Sequence, residues 1–180
     1  TYSGHGDSNM PERMISIAGE GVEFAVATDH NHNTDYHPTM QEVGADPHFT
    51  AVTGNEISAT YGHFNAYPLD PDAKVIDWHA EAPVMFAETR HNANAWGVTP
   101  VIQVNHPRWG DIDYFGARDL NAFAAESTHP DWSWDFDAVE VLNENAGWGW
   151  YDAETTDVPV RASRHSVVRD WINMVNAGHA

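Results

Sequence analysis

Apolar and polar residues follow one another along the chain in blocks that predict helices and strands in turn. Helical spacing marks residues 10–20, where apolar side chains recur at i, i+4, i+7 and i+8: Met10, Met14, Ile17 and Ala18. A short apolar run at 22–27 predicts a buried strand. Further strands are predicted at 49–57, 63–67, 100–104 and 138–142, and further helices at 83–94 and 164–176. Alternating strands and helices indicate an α/β fold with a largely parallel sheet.

Four of these predicted strands end at, or just before, a polar side chain of a type that binds metal ions. The four residues are His30, Glu56, His106 and Asn143. The carboxyl ends of parallel strands form one face of a sheet, and active sites collect on that face. The pattern therefore predicts one site assembled from segments that are far apart in sequence.

The composition narrows the chemistry of such a site. The 180 residues fit one domain, 1–180, and include 12 His, 27 Asp or Glu and no Cys. A metal site must then use His, Asp and Glu, which suit Zn, Mn, Fe or Mg. The net charge of -19 argues against binding duplex nucleic acid. No apolar run reaches the roughly 18 residues of a membrane span. Most of the acidic residues fit a charged surface that promotes solubility. For a few of them, the alternative is a role in a cation site.

The motifs around these residues resemble the PHP (polymerase and histidinol phosphatase) superfamily, and within it the CehA-like branch of carbaryl hydrolase. The resemblance lies in four motifs in the family's order: Thr28-Asp29-His30, Gly54-Asn55-Glu56 with Gly62-His63 after it, Asn105-His106-Pro107, and the strand that leads to Asn143. The family's opening His-x-His is not found before the first of these motifs, and its closing Asp-x-His is not found after the last. The resemblance thus implies the middle of a PHP domain, incomplete at both ends.

The resemblance implies a distorted (β/α)7 barrel that carries two or three divalent ions (Zn, Mn or Fe). The ligand positions that it implies in this sequence are Asp7, His30, Glu56, His63 and His106. Glu56 is the expected bridging carboxylate, and Glu56 and His106 are the expected catalytic residues. His5 is an alternative to Asp7. Asp29 is expected to orient a neighbouring ligand. For His32 three roles stay open: a further metal ligand, a residue that contacts substrate, or an ordinary loop residue.

Three residues are candidates for binding substrate. Arg108 follows His106 closely, and its planar guanidinium could hold a phosphate or carboxylate through two hydrogen bonds. A salt bridge with an acidic residue is the alternative. Asp35 and Tyr36 are expected at the mouth of the pocket, with an ordinary loop as the alternative.

The expected function is a metal-dependent hydrolase, since bound divalent ions lower the pKa of water from about 15.7 toward about 7. A small phosphoester is the expected substrate. A carbamate, ester or amide hydrolase of the same fold is the alternative, as is a non-catalytic domain with an incomplete metal site. No nucleophilic serine elbow, Gly-x-Ser-x-Gly, occurs in the sequence. The sequence leaves the compartment and the oligomeric state open.

Overall fold

The structure is a computed structural model that describes residues 6, 8–109, 112–121, 123–143 and 167–179. Its helices are α1 (Met10–Gly19), α2 (His37–Val43), α3 (Ala82–Arg90), α4 (Tyr114–Ala117) and α5 (Val167–Ala177). Its strands are β1 (Phe24–Val26), β2 (Thr50–Val52), β3 (Asn55–Ala59), β4 (Gly62–Tyr67), β5 (Val101–Asn105) and β6 (Ala138–Val139). Among the described helices, none has both the length and the apolar character needed to cross a bilayer.

The strands form two sheets. β1 and β2 pair in parallel, with Phe24 opposite Thr50 and Val26 opposite Val52. The second sheet has the order β3-β4-β5-β6, and β5 and β6 in it are parallel. A single residue pair, His30 and Glu56, adds a parallel bridge beyond β1. Parallel pairing is therefore present at both β1–β2 and β5–β6.

The expectation of a distorted (β/α)7 barrel is wrong, because the described strands form sheets of two and four strands with no closed barrel. One physical reason lies in the connection between β3 and β4, which consists of two residues, Thr60 and Tyr61. Parallel neighbours need a crossover of about a dozen residues or more, whereas a two-residue link makes a hairpin. A second reason is that the predicted strand 49–57 is interrupted at Thr53 and Gly54, and its two halves join different sheets.

The described residues divide into two compact units, and the division passes through β3 and β4. The first comprises Thr1–Ile57, Asn65–Ile76 and Glu88–Val101, and the second comprises Ser58–Phe64, Asp77–Ala87 and Ile102–Ala180. A single domain over 1–180 stays a prediction.

The first unit has a hydrophobic core packed against α1 and α2. Asn9 and Glu12 start α1 with a reciprocal capping box, in which each side chain accepts from the backbone N–H of the other. This helix matches the predicted segment 10–20. α2 was not predicted; it ends at Val43 and is capped by Gly44, whose φ of 70° suits glycine. The buried core residues are Met14, Ala27, Tyr36, Met40, Ala45, Phe49 and Ala51.

The second unit has an aromatic core. Tyr114 lies at its centre, fully buried, with its ring stacked on Trp132 at a centroid distance of 4.7 Å. The Tyr114 hydroxyl donates to the Ser133 carbonyl and accepts from the Ser133 N–H, so burial leaves no polar group of this side chain unsatisfied. Phe64 and Phe86 pack edge-on at 5.0 Å beside it. Because of this burial, the pKa of Tyr114 is raised above its usual value.

Candidate metal centre

Backbone pairing brings His30 and Glu56 side by side. The N–H of Asn31 donates to the Glu56 carbonyl at 3.0 Å, and the N–H of Glu56 donates to the Asp29 carbonyl at 3.1 Å. These two bonds form the parallel bridge between His30 and Glu56. Their side chains approach to 3.6 Å between His30 Nε2 and Glu56 Oε2. Two predicted ligands are thus held together by main-chain geometry.

Glu56 does not lie where the sequence pattern placed it. It is the second residue of β3, near the start of the strand rather than its end. Side chains alternate between the two faces of a strand. In β3 the partly exposed positions are Glu56 and Ser58, between buried neighbours. In β4 the same alternation gives His63 and Asn65 partial exposure. Glu56 and His63 therefore stand on neighbouring strands at positions open to solvent.

The side chains of His30, Glu56 and His63 lie close enough together to bind one metal ion. One nitrogen or oxygen atom from each residue lies within 4.8 Å of the corresponding atoms of the others. Two imidazoles and one carboxylate are a ligand set that catalytic zinc sites use, with water at the remaining position. The same donors also suit Mn and Fe. The chemistry of the residues therefore fits a divalent ion.

Another predicted ligand, His106, contacts this group through His63. The centroids of the two imidazole rings are 4.8 Å apart, in an edge-to-face arrangement. His106 follows β5 directly and has a φ of 28°, in the region that side-chain-bearing residues rarely adopt. Its ring also lies 5.9 Å from that of Trp109. Asp7 and its alternative His5 lie outside the described residues.

A chain of side-chain hydrogen bonds fixes the orientation of His32. Thr34 Oγ1 donates to Asp29 Oδ2 at 2.8 Å, and both side chains are buried. His32 Nδ1 lies 3.2 Å from the same hydroxyl. The hydroxyl has one proton, which goes to Asp29, so His32 Nδ1 must donate. In the neutral imidazole, Nε2 then carries the lone pair that a metal or a substrate proton needs. Asp29 thus acts on His32 through Thr34.

The loop that bears His30 and His32 is anchored by buried amides. The Asn55 side-chain amide donates to Asn33 Oδ1 at 3.0 Å. Asn33 Nδ2 lies within hydrogen-bond distance of the carbonyls of Asp70 and Ala73, at 3.2 and 3.3 Å. These three hydrogen bonds hold the loop that bears the two histidines against β3 and residues 70–73.

Asp35 and Tyr36 have contacts of a structural kind. Asp35 Oδ1 accepts from the backbone N–H of His37 at 2.9 Å and lies 2.7 Å from His37 Nδ1, at the start of α2. Tyr36 belongs to the core of the first unit. Burial, and secondarily the charge of Asp29, raise the pKa of Tyr36 above its usual value. Their roles in substrate binding stay predictions, which these contacts do not support.

Arg108 makes the salt bridge that the sequence left open as its alternative role. Its Nε and Nη2 atoms donate to the two carboxylate oxygens of Asp170, both at 2.8 Å, and Nη2 also reaches the Leu120 carbonyl at 3.3 Å. The guanidinium lies over Phe115, and Arg108 is only 3% exposed. The bidentate fork that a substrate phosphate would require is therefore occupied by Asp170.

Glu140 is a residue of this region that sequence reasoning missed. Its Oε2 atom accepts from the backbone N–H of His106 at 2.5 Å, and its Oε1 atom accepts from Asn143 Nδ2 at 2.9 Å. The sequence does contain a signal that could have identified Glu140. It is a carboxylate inside the apolar stretch 138–142, where burial of an unpaired charge would be costly. Asn143, one of the four predicted strand-end residues, thus contacts Glu140.

Comparisons of the chain with protein-family models, with curated proteins and with solved structures give no match. The resemblance to PHP proteins therefore rests on the sequence motifs alone.

Proposed function

We propose that this chain is a metal-dependent hydrolase whose centre is built on His30, Glu56 and His63. The observation that carries the proposal is the convergence of two imidazoles and one carboxylate within 4.8 Å. A divalent ion bound there would supply Lewis acidity and lower the pKa of water toward neutrality. Glu56 would contribute the negative charge of the ligand set, and the two histidines would contribute neutral nitrogen donors.

A nucleophilic serine is a rival source of hydrolysis, because Ser127, His129 and Asp131 follow one another at intervals of two. Their contacts do not form a catalytic relay. The Ser127 hydroxyl donates to the Arg118 carbonyl, and His129 Nδ1 accepts from the backbone N–H of Asp131. The imidazole nitrogen that would have to be oriented by a carboxylate is thus occupied by a main-chain donor. These contacts favour the metal-dependent mechanism.

Two substrate classes follow from this proposal. A small phosphoester is the first, as the PHP resemblance implies. A carbamate, carboxylic ester or amide is the second, and the position of Arg108 favours it. The cation nearest to His106 in sequence is committed to Asp170, so it cannot neutralise a phosphate with the same donors. An uncharged acyl group does not need a cation to neutralise it.

The proposal is tested by metal titration of the wild-type protein and of Glu56→Gln, with Glu42→Gln as the control. Gln keeps the shape of Glu56 but removes its charge, so we expect at least about a tenfold loss of Zn²⁺ or Mn²⁺ affinity, or about 1.4 kcal/mol. The backbone bonds that hold residue 56 are unaffected by the substitution. Glu42 lies exposed on α2, and its replacement should leave metal affinity unchanged.

Activity is then measured with p-nitrophenyl phosphate, a phosphodiester and p-nitrophenyl acetate, each with and without added metal. Hydrolysis of the acetate but not of the phosphates would select the acyl class. A wild-type protein that binds no divalent ion would contradict the proposal and favour a non-catalytic domain. The proposal would also be contradicted if Glu56→Gln lost as much free energy of unfolding as free energy of metal binding.

A further inference from the structure

We propose that Glu140 is the positioning residue of His106, setting the backbone and therefore the imidazole that lies against His63. The contact that carries this inference is the bond from the His106 N–H to Glu140 Oε2 at 2.5 Å. A hydrogen bond to an ionised acceptor is shorter and stronger than one between neutral groups. Glu140 thus acts on the main chain of His106 and not on its ring.

The register of β5 and β6 brings the two residues together. Gln103 pairs with Ala138 and Val104 pairs with Val139. The ladder continues with the N–H of Glu140 donating to the Val104 carbonyl at 2.9 Å. Glu140 is therefore the first residue beyond β6, and its carboxylate reaches the first residue beyond β5. Two neighbouring parallel strands end together, and one side chain links their ends.

The conformation of His106 explains why this link is needed. A φ of 28° is uncommon for any residue except glycine, and it turns the chain sharply out of β5. The next turn is closed by the Trp109 N–H, which donates to the His106 carbonyl at 3.0 Å. Between these two bonds the backbone of His106 is held at both its N–H and its carbonyl. The charged acceptor stabilises a backbone conformation that local preference disfavours.

Glu140 is itself held in place. Its second oxygen, Oε1, accepts from Asn143 Nδ2 at 2.9 Å, so both carboxylate oxygens have donors. With the backbone fixed, the His106 ring is set at 4.8 Å from the ring of His63. Loss of the carboxylate should allow the backbone to relax and the His106 ring to withdraw. Because His63 belongs to the proposed metal centre, the effect on metal affinity rests on the proposed function.

The test uses Glu140→Ala and Glu140→Gln, with Glu126→Gln as the control, since Glu126 is an exposed carboxylate of the same unit. The first readout needs no metal. In protein labelled with ¹⁵N-histidine, the His106 amide, assigned through His106→Gln, should resonate far downfield because its acceptor is a carboxylate. It should move upfield in Glu140→Gln and further in Glu140→Ala. Glu126→Gln should leave it unchanged.

The second readout is the Zn²⁺ affinity of each variant. Residues bonded directly to a metal ligand typically change metal affinity by about 10- to 100-fold when removed. Glu140 acts one step further away, through His106 on His63, so we expect at most about a tenfold loss for Glu140→Ala. We expect a smaller loss for Glu140→Gln, whose amide oxygen can still accept from His106. Circular dichroism establishes that each variant is folded. If Glu140→Ala does not fold, Glu140→Gln alone decides, because it keeps the volume and one acceptor.

The outcomes separate the two proposals. An amide shift that does not respond to either variant overturns the positioning role, whatever the metal does. So does an unchanged Zn²⁺ affinity in Glu140→Ala when the wild-type protein binds Zn²⁺. A wild-type protein that binds no metal overturns the proposed function, and the amide shift still decides the role of Glu140.

Discussion

The buried pair of Arg108 and Asp170 gives a prediction that does not depend on the proposed function. Asp170→Asn removes the negative charge but keeps the shape of the side chain. The guanidinium of Arg108 would then remain buried, with only neutral acceptors: the amide oxygen of the new side chain and the carbonyl of Leu120 at 3.3 Å. A charge left in the interior without its counter-ion is strongly destabilising.

The expected size of the effect follows from the burial. The side chains of Arg108 and Asp170 are 4% and 0% exposed, so solvent screens their interaction very little. Breaking a buried pair of this kind costs about 3–5 kcal/mol. The total stability of a domain is about 5–15 kcal/mol, so the loss is a large fraction of it. At about 2–4 °C per kcal/mol for a chain of this size, the Tm should fall by about 6–20 °C.

The assay is thermal and urea unfolding of Asp170→Asn, with Glu88→Gln as the control. Glu88 pairs with Lys74 at 3.7 Å, and the Lys74 side chain is 82% exposed, so its loss should cost less than about 1 kcal/mol. The double variant Arg108→Met, Asp170→Leu should recover much of the stability, because apolar residues of similar volume replace a buried pair well. Equal Tm values for Asp170→Asn and Glu88→Gln would refute this account of Arg108.

Three further predictions concern packing, the histidine loop and pH. Gly54→Ala should cost about 1–3 kcal/mol in urea unfolding, because a Cβ there would lie 2.7 Å from a backbone carbonyl oxygen; an unchanged midpoint would contradict it. Thr34→Val should release His32, so that ¹⁵N spectra of its ring lose the preference for a proton on Nδ1, and an unaltered tautomer would argue against the relay. Burial raises the pKa of Tyr61 and Tyr114 above the usual 10, so the unfolded state loses these protons first as pH rises. The stabilisation that comes from these two side chains should therefore be fully present below pH 10 and fall above it. Urea midpoints measured between pH 9 and 12 should show this fall, and it should be less steep in Tyr61→Phe.

Local structure was predicted well where the signals for an element lie within one short segment of the sequence. α1 was predicted at 10–20 and runs from Met10 to Gly19, because its apolar spacing and its capping residues lie within one segment. β4 and β5 match their apolar runs to within one residue at each end. α2 was missed because Met40 is its one buried apolar anchor, so the helical period is hardly visible.

The candidate site was predicted in part. The convergence of His30 and Glu56 agrees with the strand-end pattern, whereas His63, the third member of the group, was expected only from the PHP resemblance. The pattern misplaced Glu56 within its strand, because apolar content does not reveal the break at Thr53 and Gly54. The (β/α)7 barrel, expected from the resemblance, was wrong because a two-residue link joins β3 and β4.

The sequence by itself determined which chemistry the chain can use, because it contains no thiolate ligands, many imidazoles and carboxylates, and predicted strands that end near some of them. Only the tertiary structure decided the partner of each group. Arg108 meets Asp170 across 62 positions, and His106 meets Glu140 across 34. The physical reason is that secondary-structure signals are local, whereas parallel pairing and helix packing join residues that no local pattern connects.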